Sequence, residues 1–131
     1  MAEQTLSNYR ILVVEDEYLL AQHLQIELTR VGAVVLGPVG TLAGAVECIR
    51  SEQSIDGAVL DANVRGEMIF EAADLLIDRG VPFIFVTGYD PSVFPARFHE
   101  VEKCLKPLKI NSIVQAVERV VLSKVRKGGK L

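Results

Sequence analysis

Arg10-Ile11-Leu12-Val13-Val14-Glu15-Asp16 is an unbroken apolar run that stops at two acids. A strand with one wet face alternates apolar and polar residues. A run without alternation reads as a strand buried on both faces, as in a parallel sheet covered by helices on each side. Two more segments repeat the pattern: Ala58-Val59-Leu60 stops at Asp61, and Phe83-Ile84-Phe85-Val86 stops at Thr87. A shorter one ends in Leu105-Lys106-Pro107. Ligands of parallel α/β sheets bind at the carboxyl ends of the strands. Four such ends would gather three carboxylates, a hydroxyl and an ammonium.

Outward from these runs, strand and helix patterns alternate. Residues 17–31 carry Leu20, Leu24, Leu28 and Val31 at helical spacing and stop at Gly32. Val34-Val35-Leu36 reads as a second strand closed by Gly37-Pro38, and Thr41 caps a helix with Leu42, Ala45, Val46 and Ile49 on one face. The third strand is 57–60, followed by a helix with Ile69, Ala72, Ala73 and Leu76 that ends before Gly80. The fourth strand is 83–86, the fifth Lys103–Leu105, and a last helix carries Ile113, Val114, Val117 and Val121. Between the last two strands, Asp90 and Pro91 open a helix that Pro95 breaks after one turn, so a short, distorted or mobile fourth helix is expected. The sum is a doubly wound, five-stranded parallel sheet flanked by helices, with right-handed crossovers.

Composition narrows the function. Of 131 residues, 50% are apolar and 24% charged, which suits one soluble globular domain and excludes a disordered chain. A net charge of −3 speaks against a nucleic-acid partner. Residues 1–8 read as a polar tail and 126–131 as a basic one, leaving 9–125 as the domain. No run approaches the ~20 apolar residues of a membrane span. Cys48 and Cys104 have no metal spacing and read as free thiols in a reducing cytoplasm. His23 and His99 likewise lack metal spacing.

The residues suggest a phosphoryl acceptor. A carboxylate can attack phosphorus to give an acyl phosphate, and Asp61 is the candidate nucleophile. Glu15, Asp16 and Asp61 together carry −3, which Mg²⁺ (or Mn²⁺) and Lys106 offset while also balancing charge on the incoming group. Asn63 can offer its backbone carbonyl to the metal while its side chain faces the route of the donor, and Gly88 leaves that donor space. The Thr87 hydroxyl and Lys106 ammonium can hold phosphoryl oxygens.

Taken one at a time these residues are ordinary: Asp16 as a helix cap, Asp61 as a turn residue. Their order along one chain resembles the receiver domain of bacterial two-component response regulators, over residues 9–125. The resemblance implies a receiver (flavodoxin-like) fold, Mg²⁺ dependence, and phosphorylation of Asp61 by a sensor histidine kinase or a histidine phosphotransfer protein. It assigns Glu15, Asp16, Asp61 and the Asn63 carbonyl to the metal, Thr87 to the switch hydroxyl and Lys106 to the phosphate. It also implies a cytoplasmic phosphoprotein without an output domain, monomeric or weakly dimeric. Such a protein acts through an unknown downstream protein, and is not an enzyme beyond assisting its own phosphorylation and dephosphorylation.

Two departures bear on signalling. Lys103 stands where most receivers have a switch aromatic, and Ala62-Asn63 follows Asp61 where Met-Pro is common. Phe85-Val86-Thr87-Gly88-Tyr89 is similar to the Phe-Ala-Thr-Gly-aromatic pattern of the FAT GUY receivers, with Val86 in place of Ala and a closer Tyr89. That subfamily implies kinases of the HWE or related classes. Tyr89 and the segment to Phe98 are then expected to replace the aromatic switch, ordering when Thr87 moves toward the phosphoryl. The alternatives are a receiver-like docking module without phosphotransfer, or an aspartate-nucleophile phosphohydrolase. The latter has Asp-x-Asp after its first strand, where this chain has Glu15-Asp16-Glu17.

Overall fold

A computed structural model describes residues 4–106 and 109–128. The main sheet is built from β1 (Arg10–Val14), β2 (Val34–Val39), β3 (Gly57–Asp61), β6 (Phe83–Thr87) and β7 (Lys103–Leu105), all parallel and ordered β2-β1-β3-β6-β7. A two-stranded hairpin, β4 (Asn63–Val64) with β5 (Glu67–Met68), stands apart from it. The helices are α1 (Tyr18–Arg30), α2 (Leu42–Ser51), α3 (Phe70–Asp78) and α4 (Ile110–Gly128).

The unalternating runs are the centre of this sheet. Every residue of β3 and β6 is buried, and so are the four apolar residues of β1. One face packs Leu12, Leu60 and Phe85 against Ala45 and Ile49 of α2 and Ala72 and Leu76 of α3. The other packs Ile11, Val59 and Ile84 against Leu24 and Leu28 of α1 and Ile113, Val117 and Val121 of α4. Each of the large side chains contributes about 1.5–3 kcal/mol by leaving water. Gly57 lets α4 approach this closely, since a Cβ there would lie 2.5 Å from Val121 Cγ2.

Several expectations are corrected. β2 does not close at Gly37-Pro38 but continues through that cis bond to Val39, whose carbonyl accepts the Glu15 N–H at 2.9 Å. It tolerates the proline because it is an edge strand, where a missing donor breaks no ladder. Residues 4–8 are folded down and do not trail as a tail. Leu6 is fully buried, its N–H donates to the Val31 carbonyl at 2.9 Å, and that of Asn8 donates to Gly32 at 3.0 Å. Burying the one leucine of this polar stretch against the end of α1 supplies the reason. α4 runs past residue 125 to Gly128. Pro107 and the remainder of the expected basic tail, 129–131, lie outside the described residues.

The fourth helix is replaced by two 3₁₀ turns, Pro91–Val93 and Ala96–Phe98. Asp90 caps the first by accepting the Ser92 N–H at 2.8 Å, and Pro95 separates them. The segment is held by its side chains. Phe94 and Phe98 join Phe70, Phe83 and Phe85 in a cluster with ring centroids 4.9 to 6.3 Å apart. Arg97 makes a two-pronged pair with Asp74 of α3, at 2.8 and 3.0 Å.

Candidate functional site

Each of the four strand ends delivers its side chain to the same edge of the sheet. Glu15 and Asp16 leave β1, Asp61 ends β3, Thr87 ends β6 and Lys106 follows β7. The exits of the last two strands are tied together, because the Lys106 N–H donates to the Thr87 carbonyl at 2.7 Å. Among the described residues, the buried polar side chains are Glu15, Asp61 and Thr87, at 4%, 5% and 1% exposure. Burying three polar groups together is costly unless partners hold them.

The partners are present. Lys106 Nζ lies 3.0 Å from Asp61 Oδ2 and 3.8 Å from Glu15 Oε1. Asp61 Oδ1 accepts the Asn63 N–H at 3.1 Å, and Glu15 Oε2 accepts that of Glu17 at 3.0 Å. One carboxylate oxygen from each of Glu15, Asp16 and Asp61 lies within 4.8 Å of the others. Such crowding moves protons. Burial first, then contact with Asp61, pushes the Glu15 carboxyl up to about 8, so at neutral pH it keeps its proton. Burial works against the Lys106 ammonium, but its bond to Asp61 and the charges of Asp61, Glu15 and Glu17 outweigh this and raise its pKa. Three hard oxygen donors this close together, from Glu15, Asp16 and Asp61, fit a divalent ion such as Mg²⁺.

Asp16 does not cap α1. The residue at that position is Glu17, which makes no side-chain cap bond, and Asp16 Oδ2 instead accepts the Arg65 N–H at 2.8 Å.

The sequence matches no protein-family model and no curated protein sequence. Solved structures do resemble the chain. SdrG from Sphingomonas melonis Fr1 is 33% identical over 88% of this chain and 97% of its own, with a TM-score of 0.68. A BeF₃-activated conformation of SdrG is also similar. A response regulator receiver protein from Sinorhizobium medicae WSM419 is 23% identical over 91% of this chain and 98% of its own, with a TM-score of 0.75. The chain belongs to the response-regulator receivers. The response regulator PhyR from Brucella abortus shares the fold at 18% identity and a TM-score of 0.78, over 95% of this chain. This receiver spans about half of PhyR, 53% of its length.

The remaining residues of interest in the receiver divide in two. Gly88 is exposed, and a Cβ there would meet nothing within 4 Å. The Asn63 side chain is not turned to an approaching donor as expected. Its Oδ1 accepts the Gly66 N–H at 3.0 Å and its amide nitrogen lies 3.5 Å from Met68 Sδ, because the hairpin turn needs an acceptor there. The Tyr89 N–H donates to Thr87 Oγ1 at 2.9 Å while its side chain is 45% exposed. Lys103 reaches back into the 3₁₀ segment, where its ammonium donates to the carbonyls of Phe98 and Val101, both at 2.8 Å. It also lies 5.2 Å from the centre of the Phe94 ring.

Sequence reasoning missed the hairpin and the Arg97–Asp74 pair. Asn63-Val64-Arg65-Gly66 holds the signal for the first, a turn-forming asparagine three residues before glycine. Nothing local marks the second.

Proposed function

We propose that the protein takes a phosphoryl group on Asp61 from a sensor histidine kinase or a histidine phosphotransfer protein, with Mg²⁺ (or Mn²⁺) bound, and signals through protein contacts. The observation that carries this is the buried Asp61 carboxylate, with the Lys106 ammonium at 3.0 Å and two further acids beside it. An Asp61 carboxylate oxygen forms the new bond to phosphorus as the bond from phosphorus to the donor breaks, and the donor leaves with that electron pair. Glu15, Asp16, Asp61 and the backbone carbonyl of Asn63 would hold the cation. When bound, it offsets charge on the transferring group. Lys106 then exchanges its bond to Asp61 for one to a phosphoryl oxygen. The Thr87 hydroxyl accepts from Tyr89 and keeps its own proton to donate.

The same bond supports a readout of FAT GUY type. A Thr87 side chain drawn toward a phosphoryl loosens the Tyr89 amide and with it the entry to the 3₁₀ segment, the reverse of the ordering expected from the sequence. Lys103 serves there as a tie on that segment in place of an aromatic switch. The similarity to SdrG, solved in a BeF₃-activated conformation, supports an activation step. The cytoplasm is the compartment consistent with this role, and no helix among the described residues is long and apolar enough to cross a membrane.

Acetyl phosphate and Mg²⁺ should add one phosphoryl to the intact mass of the protein and none to Asp61→Asn. No gain on the parent, or an undiminished gain on the variant, refutes the assignment. Amide exchange should quicken across residues 89–101 on phosphorylation, and identical exchange there refutes the readout.

A further inference from the structure

The hairpin β4–β5 folds over the acidic site, and its backbone touches two of the three carboxylates. The Asn63 N–H donates to Asp61 Oδ1 at 3.1 Å and the Arg65 N–H to Asp16 Oδ2 at 2.8 Å. The turn between the strands is Arg65-Gly66, with φ of 52° and 85°. Two successive positive φ values define the tight primed turn that suits a two-residue hairpin, a geometry that costs arginine and not glycine. The Asn63 side chain braces that turn by accepting the Gly66 N–H at 3.0 Å. The cost is borne where it aims an amide at Asp16, the exposed member of the acidic trio.

We infer that the Asn63–Met68 hairpin is a positioning device for the cation, its turn holding Asp16 through the Arg65 amide. This rests on the Mg²⁺ reading above. Asp16 has no cap bond to restrain it and is exposed, so without that amide its carboxylate rotates freely. One oxygen of Asp16 is committed to the hairpin, and its carboxylate stays within 4.8 Å of those of Glu15 and Asp61. Partners that orient a metal ligand in this way are commonly worth 10–100-fold in affinity.

Two glycines allow a matched test. Gly66 and Gly80 both have positive φ, 85° and 68°, so alanine strains either one. A Cβ at Gly66 would meet nothing within 4 Å, and one at Gly80 only the end of the Lys124 side chain at 3.0 Å. Gly80 follows α3 at the opposite end of the sheet. Mg²⁺ titrated calorimetrically into the full chain should bind Gly66→Ala about tenfold more weakly than the parent, and Gly80→Ala as the parent. Equal affinity for all three, or an equal loss in both variants, overturns the inference. Amide exchange of the metal-free parent supplies a check that needs no variant: the Arg65 amide should be protected, and exchange at the rate of a free amide contradicts the brace. Failure of the parent itself to bind Mg²⁺ would instead strike the phosphoacceptor reading, and the brace with it.

Discussion

Glu15 holds a proton that a bound cation must displace. Its carboxyl is raised to about 8 by burial and by contact with Asp61, so Mg²⁺ binding at neutral pH should release a proton. Calorimetry in buffers of different ionisation enthalpy measures this directly; an apparent binding enthalpy independent of buffer would contradict it. The same group sets a pH dependence of stability. Between about 4.5 and about 8 the unfolded chain has lost the Glu15 proton and the folded chain retains it. Unfolding therefore releases a proton, and the metal-free protein loses stability as pH rises through that window. Thermal melts with chelator should show the fall, and saturating Mg²⁺ should flatten it. At this scale the sequence was informative: residue type and order picked out Glu15, Asp16, Asp61, Thr87 and Lys106, because each follows an apolar run. The direction in which the Lys103 and Asn63 side chains point was not legible, since it depends on carbonyls and amides that only the folded backbone assembles.

Elements were legible where one periodicity rules them and obscure where several weak signals compete. The central strands and the helices follow their apolar patterns. The segment from Asp90 to Val101 has two prolines and no period, and its conformation is set by contacts distant in sequence. Phe98 is fully buried in the aromatic cluster, so Phe98→Ala should cost about 3–5 kcal/mol in denaturant unfolding. Lys103→Ala frees the carbonyls of Phe98 and Val101, and should speed amide exchange across the second 3₁₀ turn while leaving the central strands protected. Unchanged exchange in that turn would mean that the phenylalanines alone hold it. β2 shows a different limit: Gly37-Pro38 reads locally as a stop, yet pairing with β1 resumes at Val39.

For the whole molecule, the parallel sheet and its two helical layers were readable because unalternating strands leave no other way to bury both faces. What the pattern does not encode is how closely a layer sits. Gly57→Ala would push a methyl against the β-branched Val121 of α4, and should destabilise the fold by about 1–3 kcal/mol without altering the acidic site at the far end of β3. Equilibrium unfolding and Mg²⁺ titration of that variant separate the two effects. The architecture thus supports the site from a distance: a rigid sheet brings four strand ends to one edge, and the loops beyond them are left to respond.

Asp61 is the residue proposed to carry the phosphoryl group. Treating the protein with acetyl phosphate and Mg²⁺, reducing it with borohydride and mapping its peptides tests this most directly, since an aspartyl phosphate is reduced to homoserine at the position that held it. Homoserine is expected at position 61 and only with Mg²⁺ present; homoserine at Asp16 or elsewhere, or none at all, would show that Asp61 is not the acceptor.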